Sequence, residues 1–176
     1  IDLGPAALRE QWVDLQERRP SPVLVRAIWE DRGPAGSNAG NLAVDQGDWI
    51  RLVFDRPISL RGAEGKEPIP LRVPGDLLLA SPEDRLDDGT APSILREGPV
   101  PREAVVVLGS NPRLTIAGRL ALPGAEGRWR PGPFRPSGIA LDGTSVAPSA
   151  RILDRRGWPG AVSHGPVDIE FAPGYF

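Results

Sequence analysis

Between residues 45 and 57 the chain shows its cleanest alternation of polar and apolar positions. Gly47-Asp48 opens the run. Trp49, Arg51, Val53 and Asp55 then fall on one side, Ile50, Leu52 and Phe54 on the other, and Pro57 closes it. A period of two is the signature of a half-buried strand in an antiparallel sheet, and proline, with no N–H to give a ladder, marks its end. The same reading predicts strands over 22–29, 49–55, 58–60, 69–73, 77–80, 104–108, 113–117, 119–122, 138–141, 150–153 and 167–171. In the first of these, Val23, Val25 and Ala27 are set opposite Leu24, Arg26 and Ile28.

One stretch follows a helical period instead. Pro5 suits a first helical turn, and Leu8, Trp12 and Leu15 recur at i, i+4 and i+7 over residues 5–19. Glu10, Asp14 and Glu17 with Arg9, Arg18 and Arg19 take the polar side, and Pro20 and Pro22 end the helix. The expected organisation is a helical arm (1–21), a β-sandwich body (22–164) and an aromatic C-terminal tail (165–176). The stripe of Leu8, Trp12 and Leu15 either covers a sandwich edge or docks on another protein.

Composition sharpens this picture. The 176 residues include 21 glycines and 21 prolines, and these cluster between short apolar runs, as in strands joined by tight turns. A formal charge of −2 gives no basis for nucleic-acid or membrane-surface attraction. There is no cysteine, which excludes disulfides, thiolate metal sites and a cysteine nucleophile. No run approaches the roughly 18–20 apolar residues of a membrane span. The chain contains no methionine and begins at Ile1, and removal of a leader or anchor upstream is the expectation drawn from that.

Several motifs touch on chemistry. Gly143-Thr144-Ser145-Val146-Ala147-Pro148 resembles the nucleophile segment of subtilisin-like serine proteases. The only histidine, His164, follows Ser145, which reverses the Asp, His, Ser order of those enzymes, and their other signature segments are missing. A lone histidine in a Gly/Pro loop is also a poor transition-metal site. Glu83, Asp84, Asp87 and Asp88, before Gly89, form the densest acidic cluster. Hard oxygen ligands on a glycine-containing loop suit calcium, so Asp84, Asp87 and Asp88 are weak calcium candidates, although their spacing is not that of an EF-hand loop. No phosphate-binding or dinucleotide glycine pattern is present. No cofactor is otherwise expected.

In order, the segments "VRAIWED" (25–31), "GDWIRLVFDRP" (47–57), "VVVLGSNPRLT" (105–115) and "SGIA" (137–140) resemble the Ig-like domains of exported bacterial surface and envelope proteins. The resemblance covers roughly residues 22–156. It implies an antiparallel Ig-like β-sandwich outside the cytoplasm, in the periplasm or at the cell surface, with no catalytic residues. It departs from the family where the loop 31–45, "DRGPAGSNAGNLAVD", has lost most of the carboxylates of the acidic loop that could hold calcium in related domains.

The function expected from the sequence is that of a non-catalytic structural or accessory subunit, stabilising a larger assembly, membrane-embedded or not, by protein–protein contacts. Its partner-binding residues would be Leu8, Trp12, Leu15, Trp129, Trp158, Phe171, Tyr175 and Phe176, because aromatics with one wet side are favoured at interfaces. The alternative is a carbohydrate- or surface-polymer-binding module that stacks sugars on Trp129 or Trp158. A hydrolase is the most distant reading.

Overall fold

The computed structural model describes residues 21–32, 42–62, 69–71, 78–79, 83–117, 119–121, 130–131, 135–141, 150–155, 157 and 160–174. Among the described residues all regular structure is β. The helix expected over 5–19 lies outside them.

Strands β1 (Leu24–Glu30), β2 (Trp49–Phe54), β3 (Ile58–Gly62), β4 (Ile69–Pro70), β5 (Leu78–Leu79), β6 (Ile94–Glu97) and β7 (Glu103–Val107) are followed by six more. These are β8 (Leu114–Ile116), β9 (Arg119–Ala121), β10 (Arg130–Pro131), β11 (Gly138–Ala140), β12 (Ala150–Asp154) and β13 (Val167–Phe171). Eight strands join in the order β4-β6-β7-β2-β1-β13-β11-β5, and β10-β9-β8 and β12-β3 form two smaller sheets. The large sheet curls around a single core to which β3, β8 and β12 also contribute through Ile58, Leu114, Ile116 and Ile152.

β2 is the centre of this arrangement, paired antiparallel with β1 on one side and β7 on the other. The alternation read from the sequence holds here. Ile50, Leu52 and Phe54 are fully buried, while Trp49 and Arg51 are half-exposed on the opposite face. Each of the buried three contributes about 1.5–3 kcal/mol by leaving water.

β1 departs from its expected alternation. The register shifts between Leu24 and Arg26, which pair with the successive residues Phe54 and Val53, so Val25 is an extra residue bulged out at 49 % exposure. A bulge of this kind flips the parity of every later side chain. Ala27 and Trp29 therefore enter the core with Leu24, and Ile28 goes to the outer face. Asp55 secures the strand start ahead of the bulge: its carboxylate accepts from the Val23 N–H at 2.9 Å, and its own N–H donates to the Val23 carbonyl at 2.9 Å.

The expected C-terminal tail is partly a strand of the body. β13 lies inside the sheet, parallel to β1 and antiparallel to β11. Phe171 packs against the core, with its ring edge-on to Trp29 at 5.8 Å. Residues 167–168 pair with β11 and residues 169–171 with β1, so this segment does not hang free.

One buried carboxylate closes the end of the sheet that carries Trp49. Asp48 has no exposed surface; its Oδ1 accepts from the Arg32 N–H at 2.8 Å and its Oδ2 from the Asp45 N–H at 2.8 Å. Its carbonyl accepts from the Leu108 N–H at 2.8 Å. Asp31 makes the reciprocal contact, its Oδ2 accepting from the Leu42 N–H at 2.6 Å. The two ends of the long loop after β1 are thereby cross-tied. Asp48→Ala strips the acceptor from two N–H groups and is expected to cost about 2–4 kcal/mol. Asp48→Asn, which sets an NH2 against one of those donors, should recover only part of the loss. Urea unfolding measures both; an Asp48→Ala protein within about 0.5 kcal/mol of the parent would contradict this role.

Candidate functional site: the outer face of the sheet and the loops at its end

The pairing registers line up the outward side chains of the large sheet in rows. One row runs Glu30–Trp49–Val107–Ile94 across β1, β2, β7 and β6, and the next runs Glu170–Ile28–Arg51–Val105–Arg96 from β13 to β6. Ile28 and Val105 are buried although they point away from the core. Arg51 stands between them in the row, and the aliphatic stem of an arginine covers apolar neighbours while its head stays polar.

The charges on this face are arranged in pairs. The Arg51 guanidinium reaches Glu30 at 2.9 Å and Glu103 at 3.3 Å, and both carboxylates are largely buried. Arg32 donates to the same Glu30 carboxylate from Nη2 at 2.9 Å and from Nε at 3.2 Å. Arg26 and Glu170 pair at the exposed margin, with Nε to Oε1 at 2.6 Å. Over the indole of Trp49 lie two guanidinium groups, those of Arg32 and Arg96, each 4.4 Å from the ring centroid. Cation–π stacking of this kind contributes about 0.5–1 kcal/mol at exposed sites and fixes the plane of the guanidinium.

The acidic cluster lies in the loops that flank β6 and β7. Asp87 accepts from the Gly89 N–H at 2.9 Å and the Ser93 N–H at 2.7 Å. The buried Ser93 hydroxyl donates to the Leu86 carbonyl and accepts from the Gly109 N–H at 2.8 Å. Asp88 accepts from the Thr90 N–H, the Ser110 hydroxyl and the Asn111 side-chain amide. Two of the three calcium candidates are thus turned onto donors of their own loops. Among the described residues, no group of three or more His, Asp or Glu side chains converges as a metal site would require.

Asp84, the third candidate, sits apart in character. Burial pushes its carboxyl above the ordinary carboxylate value, an effect partly offset by the Ser137 hydroxyl and by Arg113. Asp88 is held well below that value, first by the Ser110 hydroxyl, then by the Asn111 amide and the Thr90 N–H.

The other expected site residues distribute as follows. Leu8, Trp12, Leu15, Trp129, Trp158, Tyr175 and Phe176 lie outside the described residues, as does Ser145. Phe171 is half-buried against Trp29, and His164 is exposed. Sequence reasoning missed Arg32 and Arg96, the two cations gathered on Trp49. The available signal was the outward position of Trp49 in its strand, which invites long cationic side chains from neighbouring strands. A cavity of about 190 Å³ also opens beside the β6–β7 turn, lined by Ile58, Leu60, Pro99, Val100, Glu97 and Arg155.

Fold and site together define an all-β protein whose outer sheet face is built from ion pairs and a Trp–Arg stack. No protein family, no curated protein and no solved structure matches the chain.

The two shifted carboxyls act on stability with opposite signs. The lowered value at Asp88 means that its contribution is complete above the unfolded value of 3.8 and is lost as pH falls toward the folded one. The raised value at Asp84 means that its contribution is present below 3.8 and is lost as pH rises through the folded one. Asp88→Asn should therefore be less stable than the parent at neutral pH, with the gap narrowing in acid. Asp84→Asn should match or exceed the parent at neutral pH and lose that advantage below about 3.8. Urea unfolding across a pH series reads both, and parallel stability–pH curves for all three proteins would refute the assignment.

Gly109 makes a separate steric demand. A Cβ there would lie 2.0 Å from the Ala91 carbonyl oxygen and 2.8 Å from the Ser93 nitrogen, whereas a Cβ at Gly89 meets nothing within 4 Å. Gly89 has φ +86°, so Gly89→Ala carries the left-handed penalty of about 1–2 kcal/mol. Gly109→Ala must displace backbone and is expected to cost at least about 3 kcal/mol. Thermal unfolding of the two variants should rank them in that order; equal melting temperatures would be inconsistent with the close approach at Gly109.

Proposed function

We propose that the chain is a non-catalytic structural or accessory subunit whose body is an Ig-like β-sandwich. In this reading it works on the periplasmic or outer side of a bacterial envelope and stabilises a larger assembly through protein–protein contacts. The carrying observation is the employment of five of the described carboxylates. Asp48 and Asp87 hold backbone N–H groups, Asp88 holds a hydroxyl and an amide of its own loops, and Glu30 and Glu103 hold Arg51. Carboxylates used in this way build a rigid surface and are not poised for proton transfer. The exported location rests on the resemblance of residues 22–156 to envelope Ig-like domains.

The carbohydrate reading meets a specific obstacle at Trp49. Both guanidinium groups over its ring would have to leave before a sugar could stack there. That reading therefore depends on Trp129 and Trp158.

Affinity purification of the full chain from its native envelope after mild cross-linking tests the proposal. A stoichiometric protein partner should co-purify, and Trp12→Ala with Leu15→Ala should lower its recovery at least about tenfold, the effect of losing one good anchor. A chain recovered alone would overturn the subunit role. Glycan binding abolished by Trp129→Ala or Trp158→Ala would favour the carbohydrate reading.

A further inference from the structure

We infer that Arg96, stacked on Trp49 beside Arg32, is a carboxylate-receiving site on the outer sheet face, and that its occupant is an acidic segment of a partner protein. The inference rests on the protein–protein reading above and names the chemistry of the contact. Arg96 stands on the outer face of β6, opposite Val105, and is half-exposed. Arg26, Arg32, Arg51 and Arg56 each pair with a carboxylate, and Arg113 lies 4.0 Å from Glu83. Among the described residues Arg96 has the indole and no carboxylate.

Arg32 shows what the stacked geometry is fit for. It lies over the same ring, and its Nε and Nη2 both donate to Glu30. Stacking leaves the in-plane N–H groups of a guanidinium directed outward and has already removed much of the freedom that a new contact would cost. Arg96 offers a second planar fork of that kind with its carboxylate position open. Tryptophan and arginine are also the residues that most often carry an interface.

The surrounding charges select the occupant. Glu30, Glu103 and Glu170 are interspersed among the arginines of this face. A densely charged polyanion would meet repulsion at each of them. A peptide that presents single carboxylates, spaced by uncharged or basic residues, meets complementary charge instead.

NMR titration of the ¹⁵N-labelled full chain tests the site without a native partner. The probes are an end-capped peptide whose glutamates are spaced by glycine and serine, the same peptide with lysine in place of each glutamate as the opposite-charge control, and heparin as a sulfated polyanion. The glutamate peptide should shift the Arg96 Nε–H and Trp49 indole N–H signals saturably, and the lysine peptide should not. Arg96→Gln should weaken that binding at least about tenfold, and Arg96→Lys should weaken it less, because an ammonium keeps the charge but loses the fork. Both variants must keep the parent spectrum elsewhere; if Gln disturbs it, Lys against parent decides. Absence of saturable shifts, or saturation unchanged in the variants, overturns the site. Tighter heparin binding through the same two signals assigns the face to a polyanionic polymer and overturns the acidic segment. A partner that co-purifies while the titration fails leaves the subunit role standing without this site. A successful titration with no co-purified partner removes that role instead.

Discussion

Asp48 is a carboxylate with no exposed surface, and backbone N–H groups reach both of its oxygens, Arg32 from one direction and Asp45 from the other. An uncompensated buried charge is among the costliest defects a fold can carry. Charge-assisted bonds to amides are correspondingly strong. Asp48 therefore holds together the exit of β1 at Arg32, the loop at Asp45 and, through its own carbonyl, the end of β7 at Leu108. Trp49 is the next residue, and Arg32 is the one whose N–H Asp48 takes. The stack of Arg32 on Trp49 is thus assembled by the same contact that closes the sheet.

The bulge at Val25 decides which side chains take part. With unbroken alternation from Leu24, Ile28 would face the core with Arg26, and Trp29 would face out. The extra residue sends Trp29 inward against Phe171 and leaves Glu30 outward beside Trp49. Glu30 can then receive both Arg51 and Arg32. A backbone irregularity of one residue, held by Asp55, thereby sets both the deepest aromatic of the core and the central carboxylate of the outer face.

This explains which features the sequence made legible. The faces of β2 could be read because its alternation is unbroken and its pairing is regular. The strand β1 could be located, but not its parity, since nothing local marks Val25 as bulged; the bulge is set by Asp55, thirty residues further on. β6 has only Ile94 and Leu95 as apolar residues between Pro92 and Gly98, too short a pattern to register, and tertiary pairing with β7 makes it a strand. The acidic cluster could be seen but not interpreted. Asp87 and Asp88 each accept from the N–H two residues on, a local turn contact that their Asp-x-Gly and Asp-x-Thr spacing permits but does not require. Arg96 was hidden for a related reason, as it lies on that short strand and its indole belongs to β2, two strands away in the sheet.

Stability and surface chemistry draw on different parts of this molecule, and they meet at one residue. Exposed pairs such as Arg26–Glu170 contribute about 0–1 kcal/mol, and Arg96 stacked at the surface adds little more. The face could lose either with its sheet intact, because the core lies on the other side of β1, β2 and β7. Arg51 differs. Its stem stands between the buried Ile28 and Val105, and its head bridges Glu30 and the nearly buried Glu103. Removing one member of such a group leaves a buried charge without its counterpart, which costs far more than the intact pair contributes. Arg51 therefore ties the charge pattern of the outer face to the integrity of the sheet beneath it. Arg96, which has the Trp49 indole and no carboxylate among the described residues, carries no such constraint, so it is the position where the chemistry of this face can change at little cost to the fold.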